Sequence, residues 1–510
     1  MTPRAAFAEL LRRHAEVRDL SSATALLAWD QETMMPRKAA AARASQLATL
    51  AGLRHERFTD PRLGDWIAAC EAASGEFDDE ERAGIRELAR DWRRATQLPR
   101  DLVEEQAAAE SAALEAWREA RARSDWPAFA PHLERLLDLA RRRAAVLGFA
   151  DRPYDGLLDD YERGATEAGL AQLFDQLVPR LAPMVAIIVE HAGRVDSRCF
   201  RQPFDERAQE AFATRVVAAM GFDTDAGRID RSSHPFCTGI ARGDVRLTRR
   251  FAADDLRPAL FGIVHEAGHG LYEQGLHAAG AAERPGAALL AEACSLGVHE
   301  SQSRLWENIV ARSLPFWQAF APVAAEYFPA QLAAVGAEEC WRAVNEVQRS
   351  LIRVEADELT YNLHVAVRFD VERALVAGRL AVADVPAAWN AAMQRLIGLA
   401  PGNDGEGCLQ DIHWAMGGLG YFPTYTLGNL YAAQLWETAQ RELPRLDEAI
   451  AQGELVVLRD WLRASVHCHG RRFTASELIE RATGAPPSSE PFVRHLRARF
   501  GAVYGVTLPG

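Results

Sequence analysis

The chain has 510 residues, of which 48% are apolar and 25% are charged, a composition that excludes disordered, collagen-like and small disulfide-stapled proteins. Acidic residues outnumber basic ones, 71 against 58, and the formal net charge of −13 argues against a nucleic-acid partner, because phosphate neutralisation needs a basic surface. Lys38 is the only lysine, so we expect an arginine to bind any anion that the protein recognises.

Helical patterning dominates the chain from its first residues onward. It predicts helices over residues 3–20, 80–125, 126–148, 165–195, 205–220 and, with interruptions, from 253 to about 398. Residues 221–250 are rich in Gly, Asp and Ser, and two alternating segments at 239–241 and 244–248 are typical of short strands. A second irregular stretch covers residues 400–429, and helices close the chain. We expect one mostly helical domain over residues 1–510, as a single body or as two lobes, with the irregular stretches carrying function.

The sequence contains no recognisable export or membrane signal. The N-terminal segment lacks the apolar core of a secretory leader, and no window reaches the run of about 18 apolar residues that a membrane span needs. The seven cysteines are scattered and lack CxxC spacing, which fits neither a disulfide framework nor a structural zinc site. These features predict a cytoplasmic protein that associates with no membrane.

A metal-binding motif, HExxH, lies at residues 265–269 within an apolar helical stripe. His265 and His269 are four residues apart, so both imidazoles lie on one helix face and can reach a single zinc ion. Glu266, beside the first histidine, can take a proton from water at that ion. The motif therefore predicts a catalytic zinc site on a buried helix.

A catalytic zinc needs a third protein ligand and an open position for water. Two glutamates follow the motif at suitable distances, Glu292 and Glu300, and spacing alone favours neither. Glu300 has His299 beside it and Glu307 two turns further on the same helix face, which suits a ligand supported by neighbouring polar groups. On the residues alone we favour Glu300.

Five ordered motifs resemble those of the carboxypeptidase Taq family of zinc metallocarboxypeptidases. They are DxRxT at 244–248, HExxH at 265–269, HESQ at 299–302, IRxxAD at 352–357 and GxxQDxHW at 407–414. The segments WDQETMMP at 29–36 and HPF at 234–236 also fit, so the resemblance spans essentially the whole chain.

The resemblance implies a mainly helical, neurolysin-like metallopeptidase fold with a deep substrate groove, and we expect a small antiparallel sheet near the metal helix. It implies that Glu300, in HESQ, is the third ligand after His265 and His269. The family uses zinc, for which cobalt can substitute, and its members form homodimers. They remove single residues from peptide C-termini with broad specificity by attack of metal-activated water.

Stabilising the oxyanion formed in peptide hydrolysis requires hydrogen-bond donors besides the metal. Glu266 is the expected general base, which passes its proton on to the leaving amine. His413 is a candidate donor to the oxyanion, and Tyr421 or Tyr425 is a candidate phenol. Ungapped spacing against related peptidases favours Tyr425, whereas matching the Tyr-Phe pair favours Tyr421.

An exopeptidase must recognise the terminal carboxylate of its substrate, and the planar fork of an arginine suits that group. Arg353 is the first candidate; if it lies on a helix, an intrahelical ion pair with Asp357 is the competing interpretation. Arg246 is a weaker candidate, on a predicted edge strand where a peptide could add by main-chain hydrogen bonds. His234 is expected to line the same groove, and Gln410 to contact the terminus of the substrate.

Two other functions compete with a carboxypeptidase. One is an oligopeptidase of the same fold group that cleaves internally, and the other is a catalytically silent metal-binding scaffold. An intact Glu266 argues against the scaffold. The segment His467-Cys468-His469 resembles a metal pair, but residues two apart on a helix point in different directions, so we do not expect a second metal there.

Overall fold

The computed structural model describes residues 1–278 and 284–509. Over these residues the fold is mainly helical, as predicted, with one small sheet. The helices before residue 290 are α1 (Pro3–Thr33), α2 (Ala40–Phe58), α3 (Pro61–Ala72), α4 (Asp79–Gln97), α5 (Arg100–Arg123), α6 (Trp126–Val146), α7 (Pro153–Leu158), α8 (Glu167–Glu190), α9 (Glu206–Met220), α10 (Leu256–Ala278) and α11 (Pro285–Ala288).

The second half of the chain is also helical. Its helices are α12 (Leu296–Arg304), α13 (Leu314–Tyr327), α14 (Pro329–Leu332), α15 (Ala337–Val344), α16 (Glu358–Val376), α17 (Val385–Leu396), α18 (Pro423–Glu442), α19 (Leu446–Ala451), α20 (Val456–Ser465), α21 (Ala475–Thr483) and α22 (Glu490–Tyr504). A π-helical segment, Leu305–Val310, continues α12 without a break. The predicted irregular stretch at 400–429 ends early, because α18 begins at Pro423, whose fixed φ suits a first helical turn.

Three short strands form the sheet: β1 (Gly227–Arg231), β2 (Cys237–Ala241) and β3 (Asp244–Arg249). Their order is β1-β3-β2; β1 runs parallel to β3, and β2 runs antiparallel to it. The expected antiparallel sheet is therefore wrong, and the sheet is mixed. The edge position predicted for the segment 244–248 is also wrong, since β3 is the central strand. After β1 the chain forms the opposite edge strand, β2, and then returns as β3 between the two.

Buried apolar side chains form two clusters in the described residues. The larger one draws on residues from Ala113 to Leu508 and packs around the sheet, α10 and α12. The smaller one belongs to the N-terminal helices α1, α3 and α4, and Leu289 joins it from the segment after α11. The site described below is built on α10 and α12, within the larger cluster.

Helix α8 is long and apolar enough to cross a bilayer by length and composition alone, and it is the single such helix among the residues described. In this fold it packs within the chain. Phe174 on α8 lies against Phe369 on α16, with ring centroids 4.9 Å apart. Leu170, Leu177, Leu181 and Ile188 are buried on the same helix.

Candidate active site

Helix α10 presents the two histidines of the HExxH motif side by side. Their ring centroids lie 4.8 Å apart, and each ring directs Nε2 toward the Glu300 carboxylate on α12. Glu300 Oε2 is 3.7 Å from His265 Nε2 and 3.5 Å from His269 Nε2. The donor atoms of the three residues all lie within 4.8 Å of one another.

This donor set fits a tetrahedral metal ion. Zinc binds imidazole nitrogen and carboxylate oxygen at about 2.0–2.2 Å, so two of its tetrahedral ligands lie roughly 3.4 Å apart. The two Nε2···Oε2 separations, 3.5 and 3.7 Å, are close to that value. The structure thus brings together the three residues predicted as metal ligands.

The outward-facing ring nitrogens of both histidines are held by other groups. His265 Nδ1 lies 2.9 Å from Glu307 Oε2, and His269 Nδ1 lies 3.1 Å from the backbone carbonyl oxygen of His299. Each contact places the ring proton on Nδ1 and leaves Nε2 free to bind a metal. Burial opposes protonation of His265, but the carboxylates of Glu300 and Glu307 outweigh it and raise its pKa, a sign of negative potential that suits a cation.

Arg304 holds the third ligand, Glu300, a role that the sequence motifs did not predict. Its Nε donates to Glu300 Oε1 at 2.6 Å, which leaves Oε2 as the oxygen that faces the histidines. Its guanidinium also lies 3.5 Å from Glu307 Oε2. Arg304 follows Glu300 by one helical turn, and that spacing is the signal that could have identified it.

Close helix packing brings α12 to the metal helix. A Cβ atom on Gly268 would lie 2.7 Å from the Gln302 carbonyl oxygen and 2.7 Å from Ser303 Cα. A Cβ atom on Gly428 of α18 would lie 2.6 Å from Glu300 Cγ. Glycine at these two positions lets three helices approach at backbone distance around Glu300.

Glu266 lies beside the metal ligands and is 8% exposed. Burial raises the pKa of its carboxyl group to about 7. A carboxyl group with a pKa near neutrality can both take and return a proton, as general acid–base chemistry requires. Glu266 thus stays the predicted general base.

His413, Tyr421 and Tyr425 lie together, as a set of three rings. His413 Nε2 is 3.1 Å from the Tyr425 hydroxyl, and the ring centroids of His413 and Tyr421 are 5.0 Å apart. Burial raises the pKa of Tyr421, and a hydrogen bond from Tyr425 opposes that shift. The Glu300 charge also raises the pKa values of both phenols, which puts the two tyrosines within electrostatic reach of that carboxylate.

Arg353 is buried, but its setting differs from the predicted one. It lies in a 3-10 turn, Arg353–Glu355, and not on a helix, so the proposed ion pair with Asp357 is wrong. Asp357 instead caps α16, accepting hydrogen bonds from the backbone N–H groups of Leu359 and Thr360. Helix α16 therefore starts at its N-cap, Asp357, whereas the competing interpretation required a helix that already included residue 353.

Asp411 is the actual partner of Arg353. Its Oδ1 accepts from Arg353 Nε at 3.0 Å and from Arg353 Nη2 at 2.8 Å. Its Oδ2 accepts from Arg368 Nε at 2.7 Å. Burial opposes ionisation of Asp411, but the two guanidinium groups hold its pKa well below the ordinary value. The Tyr361 hydroxyl accepts a further hydrogen bond from Arg353 Nη1 at 2.7 Å.

Gln410 lies behind this pair of arginines. Its Oε1 accepts from the backbone N–H of Arg353 at 2.9 Å and from Arg368 Nη2 at 2.7 Å. Its Nε2 donates to the backbone carbonyls of Leu351, Glu406 and Gly407. Gln410 therefore holds the backbone and side chains of the arginine cluster in place.

The remaining two candidates lie around the sheet. The guanidinium of Arg246 pairs with Asp244 at 2.8 Å and stacks 4.3 Å from the ring centroid of Trp29, at the end of α1. His234 is exposed, and the next residue, Pro235, lies against α10 beside Gly262. Both residues are thus near the metal helix, with Arg246 already engaged by an acid and an aromatic ring.

Two further sequence alternatives are resolved. The half-exposed side chain of Glu292 forms an ion pair with Arg471 at 3.0 Å, and it is not part of the metal-binding cluster. His467 is buried against Gln302, with Nε2 2.9 Å from Oε1 of that residue. Among the residues described, His265, His269 and Glu300 form the one group of three side chains placed to hold a metal.

A sequence model of the family described as "Carboxypeptidase Taq (M32) metallopeptidase" matches residues 9–500. The chain belongs to this family. Thermostable carboxypeptidase 1 of Thermus thermophilus is 44% identical to it over 517 residues, covering 99% of this chain and all of that protein. Carboxypeptidase 1 of Bacillus subtilis is 34% identical and covers 98% of both chains.

Solved structures agree with the family assignment. The crystal structure of an M32 carboxypeptidase from Deinococcus radiodurans R1 superposes with a TM-score of 0.95 at 40% identity, over 98% of this chain and all of that one. The protein is thus a metallocarboxypeptidase, an enzyme of a family that requires a metal cofactor. The cluster on α10 and α12 has the side chains that could hold such a metal.

Proposed function

We propose that the enzyme is a zinc carboxypeptidase that releases single residues from the C-termini of peptides. The observation that carries this proposal is a charge imbalance beside the metal-binding cluster. Arg353 and Arg368 share one carboxylate, that of Asp411, and all three groups are largely buried. Among the described residues, no second carboxylate lies within ion-pair distance of either arginine.

One positive charge therefore remains uncompensated in a buried place, and an anion entering there would balance it. The contacts above engage three N–H groups of Arg353, whereas a guanidinium carries five. Two donors thus remain for a ligand. A terminal carboxylate matches both the charge and the planar geometry.

The chemistry follows from the residues around the metal cluster. Zinc held by His265, His269 and Glu300 would supply Lewis acidity, lowering the pKa of water and polarising the scissile carbonyl. Glu266 accepts the proton of the attacking water and passes it to the leaving amine.

The aromatic set supplies the donor for the developing negative charge. His413 Nε2 lies 3.1 Å from the Tyr425 hydroxyl, so the histidine engages Tyr425 and the Tyr421 hydroxyl is left to donate to the substrate. We therefore assign the substrate oxygen contact to Tyr421, with Tyr425 as the link to His413. Preorganised donors of this kind stabilise the transition state more than the ground state.

A paired assay tests the exopeptidase assignment. An N-blocked dipeptide with a free C-terminus should be hydrolysed, and the same peptide with an amidated C-terminus should react far more slowly. Arg353→Ala should lower kcat/KM on the free acid by about 100-fold or more, the loss expected for a buried charged hydrogen bond, and change the amide rate little. Arg13→Ala is the matched control, because Arg13 on α1 is a buried arginine that pairs with Asp60, the N-cap residue of α3, away from the metal-binding cluster.

Equal rates on the acid and the amide would instead identify an oligopeptidase, the alternative that the buried positive charge disfavours. Glu266→Gln tests the base separately: turnover should be abolished while the bound metal stays at the wild-type ratio. An active Glu266→Gln variant would show that another group takes the proton.

The broader properties of the family complete the proposal. We propose a neurolysin-like architecture with the arginine cluster at the closed end of a substrate groove, a cytoplasmic location, a homodimer and broad side-chain specificity, with cobalt able to replace zinc. His234 and Arg246 would then lie on the wall of the groove beside the metal helix. Sedimentation velocity and a digest of mixed peptides read by mass spectrometry test the dimer and the specificity.

A further inference from the structure

The loop between His413 and Tyr421 carries two of the proposed donors, and its structure depends on one buried side chain. The loop turns sharply, with Gly417 and Gly420 at positive φ, and Gly418 N–H donates to the His413 carbonyl oxygen at 2.8 Å. It has no regular secondary structure beyond a single 3-10 turn, Trp414–Met416. The positions of His413 and Tyr421 therefore depend on what holds the loop from outside.

Glu372 on α16 provides that external support. Its side chain is fully buried, and the carboxylate accepts three hydrogen bonds. Trp414 Nε1 donates to Oε2 at 2.7 Å, and Gly420 N–H donates to Oε1 at 2.6 Å. The Tyr154 hydroxyl on α7 donates to Oε1 at 2.8 Å.

Two of these three anchors are next to proposed catalytic residues in the sequence. Trp414 follows His413, and Gly420 precedes Tyr421. The Glu372 carboxylate on α16 thus accepts hydrogen bonds from both ends of the loop and from Tyr154 on α7. Gly420 is also pressed against α7, where a Cβ atom would lie 2.9 Å from the Leu157 carbonyl carbon.

Glu372 has a chemistry that goes beyond ordinary packing. It is a buried carboxylate without a cationic partner among its hydrogen bonds, and burial raises its pKa to about 7. A buried acid of this kind is costly for the fold. An apolar residue would fill the space more cheaply, but it could not accept from an indole and a backbone N–H at the same time.

We propose that Glu372 is a positioning residue that holds His413 and Tyr421 in place for the reaction. The proposal rests on the proposed function, in which Tyr421 contacts the substrate oxygen and His413 supports it through Tyr425. Misplacing catalytic donors by about 1 Å can lower a rate by about 100-fold. Loss of the Glu372 hydrogen bonds should therefore lower kcat. Substrate binding should change little, because the proposed terminal carboxylate site at Arg353 has a separate set of contacts.

Glu372→Gln tests the proposal with the smallest change of shape. Trp414 and Gly420 can only donate, so the new amide group must oppose one of them with its own N–H. We expect kcat to fall by about 10-fold to 100-fold, KM to change by less than about 3-fold, and metal content to stay at the wild-type value. Trp414→Phe keeps an aromatic ring but removes the Nε1–H donor, and it should give a smaller fall in kcat. This variant tests the same contact if Glu372→Gln does not fold.

Gln434→Glu is the matched control. Gln434 is a buried anchor on α18 that donates to Thr483, Ala485 and Pro486 and accepts from the backbone N–H of Ser488. It grips a loop that carries none of the proposed catalytic residues. The amide-to-acid exchange should lower the melting temperature and leave kcat unchanged.

A double-mutant cycle separates a positioning role from general destabilisation. If Glu372 acts through the loop, Glu372→Gln should lower kcat much less in a His413→Ala background than in the wild type. Equal fold losses in both backgrounds, or a kcat for Glu372→Gln within about 2-fold of the wild type, would overturn the proposal while leaving the role of His413 intact. Wild-type kcat in both His413→Ala and Tyr421→Phe would overturn the assignment of the donors as well, and so distinguishes the two failures.

Discussion

Gly268→Ala probes the contact that sets the distance between the two histidines and Glu300. Gly268 lies in the middle of α10, where an alanine normally stabilises a helix by about 0.5–1 kcal/mol. Here the new methyl group would lie 2.7 Å from Ser303 Cα and from the Gln302 carbonyl oxygen. Carbon atoms prefer a separation of about 3.5–4.0 Å, so α12 would have to move away by roughly 1 Å.

Overpacking of this size costs about 1–3 kcal/mol, which cancels or exceeds the gain in helix propensity. The same movement carries the Glu300 carboxylate away from His265 and His269. Since groups that only support metal ligands change affinity by about 10-fold to 100-fold when altered, we expect a loss of metal affinity of at least that order.

Gly262→Ala is the matched control, one helical turn before His265 on the same helix. A methyl group there would lie 3.9 Å from Pro235 Cγ, an ordinary van der Waals distance. Both variants gain the same helix propensity, so their difference in unfolding free energy isolates the steric cost. Urea unfolding of the metal-free proteins and competition with a chelator measure the two effects. Equal stability and equal metal affinity in the two variants would refute the reasoning.

Three further predictions concern the ligands and the core. Arg304→Met should lower metal affinity by about 10-fold to 100-fold without altering the circular dichroism spectrum, because Glu300 loses the donor that orients it; an unchanged dissociation constant would contradict this. Exhaustive chelation should abolish hydrolysis and lower the melting temperature, and metal at 1,000 times its dissociation constant should restore about 4 kcal/mol of stability; activity that survives chelation would be the contrary result. Burial opposes ionisation of Glu358, but His495 and Arg499 hold its pKa at about 2 against an unfolded value of 4.5. Ionised Glu358 should thus stabilise the fold by about 3 kcal/mol above pH 4.5, and this stabilisation should disappear as the pH falls toward 2. In urea unfolding, the unfolding free energies of wild type and Glu358→Gln should therefore converge at low pH. A difference between them that does not change with pH would contradict the assignment.

The sequence was sufficient for the parts of the site that depend on local spacing. His265 and His269 share a helix face because four residues make one turn, and Glu300 followed from its neighbours and from the family resemblance. The setting of Arg353 could not be predicted in the same way. Its partner, Asp411, lies 58 residues further along the chain, and helix spacing suggested Asp357 instead.

The sheet shows the same limit. Alternation located β2 and β3 correctly, but it carries no information on strand order, so the central position of β3 was missed. Glu372 gave no signal at all in the sequence, because a buried acid inside a helical pattern looks like one more exposed residue. Only the three donors that converge on it from α7 and from the 413–421 loop distinguish it.

Tyr361 contacts both halves of the site. The Arg304 guanidinium, which holds Glu300, stacks 4.5 Å from the ring centroid of Tyr361. The hydroxyl of the same ring accepts from Arg353 Nη1 at 2.7 Å. One aromatic ring therefore separates the support of the metal ligand from the buried positive charge. Under the proposed function, a substitution that shifts this ring would disturb the support of Glu300 and the proposed carboxylate site together.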